Sequence, residues 1–256
     1  MGFFDLPAPL FGAIDQVLGL ALPGVVRLVL WGVLAGWLTM VVYRRLSNQD
    51  KIQELKIEQK KQQKIISSFD GEFEELFPVI RHTLALGGRQ LGLSLGPALL
   101  ATIPILFIVV WVAGHFGNEQ PLQGTPISIE INQDQVPFER FAWSSPDMAQ
   151  QTETGWVLNW PSSEQPVSFL QDGESLFELP LETSIPVIHK HQWWNWLMAN
   201  PVGYLPEDAL VESIDIALPE QQFLAFGPGW LHGWMFSFFF SFLLSSIGFK
   251  LALKID

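Results

Sequence analysis

The feature that most constrains this chain is a long stretch without charge close to its end. No Asp, Glu, Lys or Arg occurs between Glu220 and Lys250. The apolar run inside this window is long enough to cross the roughly 30 Å hydrocarbon core of a bilayer as a helix. Trp230 and Trp234 at its start are typical of a membrane interface, and Lys250 at its end is typical of the cytoplasmic side. Residues 227–249 are therefore predicted to span a membrane from outside to inside.

Two further apolar segments predict a three-span topology. Residues 24–43 are followed at once by Arg44 and Arg45, so the positive-inside rule also orients this span from outside to inside. Residues 95–115 then return the chain to the outside. The N-terminus is thus expected outside, and the tail 250–256 in the cytoplasm.

The distribution of charge agrees with this topology. The chain has a net charge of −12, but residues 117–226 hold sixteen acidic side chains against two basic ones. Residues 44–89 hold nine basic side chains against seven acidic ones. An acidic outer region and a mildly basic cytoplasmic region are predicted.

The segments outside the spans differ in character. Residues 1–23 contain no Lys or Arg and are predicted to form a short interfacial helix on the outer surface, with a frayed tail as the alternative. Residues 44–94 are predicted to form a cytoplasmic helical hairpin, a short antiparallel coiled coil with Ile52, Leu55 and Ile66 on its seam. A glycine-rich turn at Gly87, Gly88 and Gly92 is expected to end the hairpin.

Residues 116–226 are predicted to form an extracytoplasmic β domain with its own core. Six short strand-like runs are separated by Pro, Gly, Ser and Asp: 127–131, 156–160, 167–170, 176–179, 185–189 and 211–217. A small antiparallel β-sandwich is the expected fold. Trp193, Trp194 and Trp196, within residues 192–198, either fill this core or touch the outer membrane interface, and the core is the favoured position.

Residues that could carry out catalysis are scarce. The chain has no cysteine, no glycine-rich phosphate loop, no HExxH and no nucleophile elbow. His189 and His191 share one face of a strand and could bind a metal, but no third ligand is identifiable. We therefore predict a non-enzymatic protein without a cofactor, a metal site, catalytic residues or specific nucleic-acid binding.

Small and polar residues recur inside the spans. Gly32 and Gly36 form a GxxxG motif, which indicates close helix packing. Arg27, near the outer end of the first span, either extends to the lipid headgroups or faces a hydrated groove. In the last span small residues repeat every four positions on one helix face: Gly233, Ser237, Ser241 and Ser245.

The order of these elements resembles the Oxa/YidC membrane-insertase superfamily. The similarity is to its three-span branch, which includes the archaeal insertase-like proteins and the third subunit of the ER membrane protein complex. It covers roughly residues 24–115 and 227–255, and is carried by the IPIL run at 103–106 with Trp111, and by residues 234–250 with their serines. The branch has a short loop where this chain carries the β domain.

The resemblance implies transport of protein segments without covalent chemistry. Members open a hydrophilic groove toward the cytoplasm, through which the polar flank of a client membrane protein crosses. In this chain the implied groove residues are Ser237, Ser241, Ser245, Thr39, Thr102 and Arg27, with Gly32, Gly36 and Gly233 in helix packing. The basic hairpin would receive the client or the ribosome.

Three functions remain as hypotheses at this stage. The first is a membrane-protein insertase or assembly factor in a bacterial or archaeal inner membrane. The second is a non-catalytic accessory subunit of a larger membrane complex, in which the serines are buried against a partner helix instead of facing water or a client. The third is a receptor whose outer domain binds a ligand at the tryptophans of residues 193–196.

Overall fold

The computed structural model describes residues 2–132, 138–197 and 199–255. In chain order its α-helices are α1 (Ala8–Gly19), α2 (Gly24–Leu46), α3 (Gln49–Ser67), α4 (Phe73–Phe116) and α5 (Trp234–Ala252). Within the described residues, α2, α4 and α5 are the helices long and apolar enough to cross a membrane. These helices and a separate antiparallel β region confirm the predicted combination of a helical membrane part with a β domain.

The chain divides into two compact units. One comprises Met1–Leu28 and Phe107–Ser237, and the other comprises Val29–Leu106 and Phe238–Asp256. The second unit holds α3 and most of the residues of α2, α4 and α5.

The helix α3 pairs with the first part of α4. It begins at an Asn48 cap, whose side-chain oxygen accepts a hydrogen bond from the Lys51 amide at 3.1 Å. The apolar side chains of Ile52 and Leu55 are buried. Glu58 Oε1 lies 3.3 Å from His82 Nε2 on α4. Since this contact joins residues about equally far from the connection 68–72, the two helices run antiparallel.

The predicted turn at Gly87, Gly88 and Gly92 is wrong. The structure has one helix of 44 residues, about 66 Å long at the usual helix rise, that continues through all three glycines. A helical glycine costs only about 1 kcal/mol relative to alanine, which neighbouring strong helix formers outweigh. A break would also leave backbone groups of the apolar segment without partners.

The β region belongs to the first unit and contains two antiparallel sheets. One sheet has the strand order β3–β4–β1–β8–β7, and the other has the order β2–β5–β6. The strands are β1 (Pro126–Asn132), β2 (Phe141–Trp143), β3 (Ala149–Gln151), β4 (Gly155–Asn159), β5 (Val167–Gln171), β6 (Glu174–Leu179), β7 (Val187–His189) and β8 (Ser213–Ile216).

Both sheets contribute to one hydrophobic core. Alternate residues of β1 point into it, and Ile129 is fully buried. Phe169 on β5 lies at the centre of an aromatic cluster, 4.8 Å from Trp143 on β2 and 5.1 Å from Trp156 on β4, measured between ring centroids. The core therefore draws its tryptophans from the strands and from Trp160, which directly follows β4.

The core position favoured for Trp193, Trp194 and Trp196 is wrong. Their side chains are 85%, 50% and 51% exposed. The loop instead buries Asn195, at the start of a short 3-10 helix. The tryptophans before and after it, in the turn and in this helix, point outward. Met198, the last residue of the predicted segment, lies outside the described residues.

Candidate functional site

A cavity of about 500 Å³ in the second unit is the strongest candidate site. It lies among the C-terminal part of α2, the middle of α4 and the C-terminal part of α5. Its wall is mainly apolar and includes Leu95, Ile105 and Phe242. The polar residues that line it are Thr39, Tyr43, Ser94, Thr102 and Lys250. The structure therefore brings together two of the predicted groove residues, Thr39 and Thr102.

Helical periodicity places both threonines at the cavity. Thr39 and Tyr43 are four residues apart on α2, and Ser94, Ala98 and Thr102 repeat at the same spacing on α4. Each set therefore lies on one face of its helix. This spacing is visible in the sequence, but the sequence alone does not show that the two faces meet. Sequence analysis therefore did not predict Tyr43, Ser94 and Lys250 as site residues.

The threonine hydroxyl groups in the cavity donate to their own helices. Thr39 Oγ1 donates to the Ala35 carbonyl at 2.7 Å, and Thr102 Oγ1 donates to the Leu99 carbonyl at 2.6 Å. A hydroxyl oxygen that donates its proton still has lone pairs that can accept. The cavity therefore offers hydrogen-bond acceptors and the Lys250 ammonium within an apolar wall, which suits an apolar segment that carries a few polar groups.

Ser241 and Ser245 lie at a helix contact, which differs from their predicted place in a groove. They face Gly32 and Gly36 of α2, where a β-carbon would meet the serine hydroxyl oxygens. Ser241 Oγ donates to the Phe238 carbonyl at 2.9 Å within α5. Two motifs with four-residue spacing therefore pack against each other, because glycine lets the helix backbones approach closely.

The two remaining members of the small-residue stripe have different surroundings. Ser237 is 6% exposed and so does not face water. Gly233 precedes α5, and among the described residues no atom lies within 4 Å of the position a β-carbon would take there. The structure therefore gives no support to a packing role for Gly233.

Arg27 occupies a position that differs from both alternatives predicted for it. Its Nη1 forms an ion pair with Asp15 of α1, whose carboxylate is only 1% exposed. His115 Nε2 of α4 lies 3.1 Å from the same Asp15 oxygen. The Arg27 guanidinium also lies 5.3 Å from the centre of the Phe116 ring. Arg27 therefore joins three helices within the first unit.

Sequence reasoning missed Asp15 as a functional or structural residue. The available signal was a single acid in the apolar helix 8–19, twelve positions before the single base of the predicted span 24–43. Isolated charges of opposite sign in neighbouring membrane-associated helices commonly pair.

The two histidines considered as metal ligands have other surroundings. His191 Nδ1 lies 2.9 Å from Glu207 Oε1, and His189 lies at the end of β7. Across residues 2–132, 138–197 and 199–255, no three His, Cys, Asp or Glu side chains are grouped to hold a metal ion.

Comparisons of the chain with protein-family models, with curated proteins and with solved structures found no match.

Proposed function

We propose that the protein is a membrane-protein insertase or assembly factor, and that the cavity beside Thr39 and Thr102 receives a segment of its client. The observation that carries this proposal is the cavity itself, with its apolar wall and its few hydroxyl groups. A volume of about 500 Å³ can hold several side chains from one face of a client segment.

The charges around the cavity indicate which side of the membrane it serves. The cavity is lined by Tyr43, which directly precedes Arg44 and Arg45, and by Lys250 near the end of α5. By the positive-inside rule we infer that these residues lie on the cytoplasmic side. A cavity on this side suits clients delivered from the ribosome, as the resemblance to the Oxa/YidC superfamily implies.

A second candidate function is a fixed subunit of a larger membrane complex. It is supported by an apolar stripe on the first part of α4, where Phe73, Phe77 and Leu84 are 68%, 56% and 72% exposed. The serine stripe does not discriminate between the two functions, because Ser241 and Ser245 are packed against α2 of the same chain.

Cysteine crosslinking to stalled nascent membrane proteins tests the first function. The natural chain has no cysteine, so single substitutions report one position each. We expect Thr39→Cys and Thr102→Cys to crosslink to several different nascent chains. Leu100→Cys is the matched control, because it lies on the opposite face of α4 at the same depth and is 52% exposed.

Two results would contradict the proposal. Equal crosslinking at positions 100 and 102 would show that nascent chains meet the lipid-facing surface and do not enter the cavity. A single stoichiometric membrane partner, without nascent chains, would identify the protein as a fixed subunit of that partner's complex.

A further inference from the structure

The loop of residues 192–197 displays its tryptophans from a rigid base. Asn195 is 4% exposed, and its side chain accepts from the Gln192 amide at 3.0 Å and donates to the Lys190 carbonyl at 2.8 Å. Tyr204 donates its hydroxyl to the Asn195 carbonyl at 2.8 Å. Burial, reinforced by the Asp5 carboxylate, raises the pKa of Tyr204, so this donor stays protonated.

A buried carboxylate fixes this region to the N-terminal segment. Asp5 is 4% exposed, and its Oδ2 accepts from the Gly2 amide at 2.8 Å and from the Asn200 amide at 2.6 Å. The Phe3 ring lies 5.9 Å from the Trp196 ring. The loop of the β domain and the start of the chain therefore form one unit.

The same segment places the loop beside an apolar part of α4. The Phe107 ring lies 5.4 Å from Phe3 and 5.1 Å from Phe4. Phe107 belongs to a helix long and apolar enough to cross a membrane, within a stretch, residues 90–118, that has no Asp, Glu, Lys or Arg. The tryptophans are therefore held at the level of an apolar membrane segment and not at the far end of the β domain.

The helix α1 also has exposed apolar side chains. One side of α1 packs on α4, with the Phe11 ring 5.7 Å from Trp111 and the Asp15 carboxylate beside His115. The other side leaves Leu10 and Val17 62% and 67% exposed. Large apolar side chains with this exposure, in the same unit as the exposed tryptophan cluster, mark an interaction surface.

We propose that residues 192–197 and the exposed side of α1 bind the interfacial layer of the bilayer and hold the β domain against the membrane. Indole rings prefer this layer because they are mainly apolar but carry one N–H donor. Charge is not the attractive force, because residues 117–226 carry sixteen acids and two bases, which repel anionic lipid. Zwitterionic lipid is therefore sufficient.

Spin labels in phosphatidylcholine vesicles test this surface. The full chain has no cysteine of its own, so a single Trp193→Cys or Leu10→Cys substitution gives one site for a nitroxide label. For each label we measure the ratio of its collision rate with oxygen, which concentrates in lipid, to its collision rate with a water-soluble nickel chelate. We expect this ratio to be several-fold higher at both positions than for a label in solution. The matched control is Leu122→Cys, because Leu122 is 83% exposed, is apolar, and lies in the same unit.

The control label is expected to collide mainly with the nickel chelate. A label at position 193 with the same collision ratio as at position 122 would show that the loop lies in water, which overturns the proposal. Shielding of the position 193 label from both reagents would show a protein contact, which also overturns it. Since these positions are exposed, the substitutions are not expected to disturb folding, and an unchanged far-ultraviolet circular dichroism spectrum checks this.

Discussion

Replacing Arg27 with leucine is expected to lower the free energy of unfolding by about 3–5 kcal/mol, the usual cost of removing one partner of a buried ion pair. The cost arises because the Asp15 carboxylate, which is 1% exposed, would be left buried without the guanidinium that faces it. His115 reaches the same carboxylate oxygen, but its side chain is 41% exposed, so it does not replace the Arg27 guanidinium. The measurement is denaturant-induced unfolding in mixed micelles, followed by circular dichroism.

Two further variants isolate the effect of the buried charge. Adding Asp15→Asn to Arg27→Leu removes the uncompensated charge, so we expect the double variant to recover part of the lost stability. Arg140→Leu is the matched control, because Arg140 also pairs with an aspartate, Asp172, but both side chains are about half exposed. A solvated pair contributes little, so this variant is expected to unfold nearly like the natural protein. An equal loss of unfolding free energy in Arg27→Leu and Arg140→Leu would contradict the stabilising role assigned to the buried Arg27–Asp15 ion pair.

The spans and most strands were predictable because their signals are local. Hydropathy located the three membrane-length helices, and short strand-like runs between Pro, Gly, Ser and Asp clusters located six of the eight described strands. The two missed strands, Phe141–Trp143 and Ala149–Gln151, have three residues each. The extended conformation of Phe141–Trp143 depends on pairing with β5, which is distant in the sequence, and that of Ala149–Gln151 on pairing with the adjacent strand β4.

The interactions around the candidate site depend on pairings that local patterns do not specify. The four-residue spacings of Gly32 with Gly36 and of Ser241 with Ser245 were both visible, but each is compatible with a lipid face, a groove or a helix contact. The outcome depends on how closely the backbones approach, which only the folded chain defines. The tryptophans of residues 193–196 were misplaced for a related reason, since burial of Asn195 sets the orientation of the loop.

The glycines of α2 give the second large prediction. We expect Gly36→Leu to destabilise the protein by about 1–3 kcal/mol, the usual cost of overpacking, and Gly32→Leu to have an effect at least as large. A β-carbon at position 32 would lie 2.6 Å from the Phe238 carbonyl oxygen, and one at position 36 would lie 2.9 Å from the Phe242 carbonyl oxygen. These are backbone atoms, so the clash cannot be relieved by a side-chain rotation.

The same substitutions should also change the cavity, because Phe242 both meets Gly36 and lines the cavity wall. If α5 moves away from α2, Thr102→Cys should react several-fold faster with a water-soluble maleimide in the Gly36→Leu background. Gly96→Leu is the matched control, since no described atom lies within 4 Å of a β-carbon at that position on α4. It is expected to leave both stability and labelling nearly unchanged. If Gly36→Leu behaved like Gly96→Leu, the glycine–serine contact would not be what holds α2 against α5, and the cavity would depend on another contact.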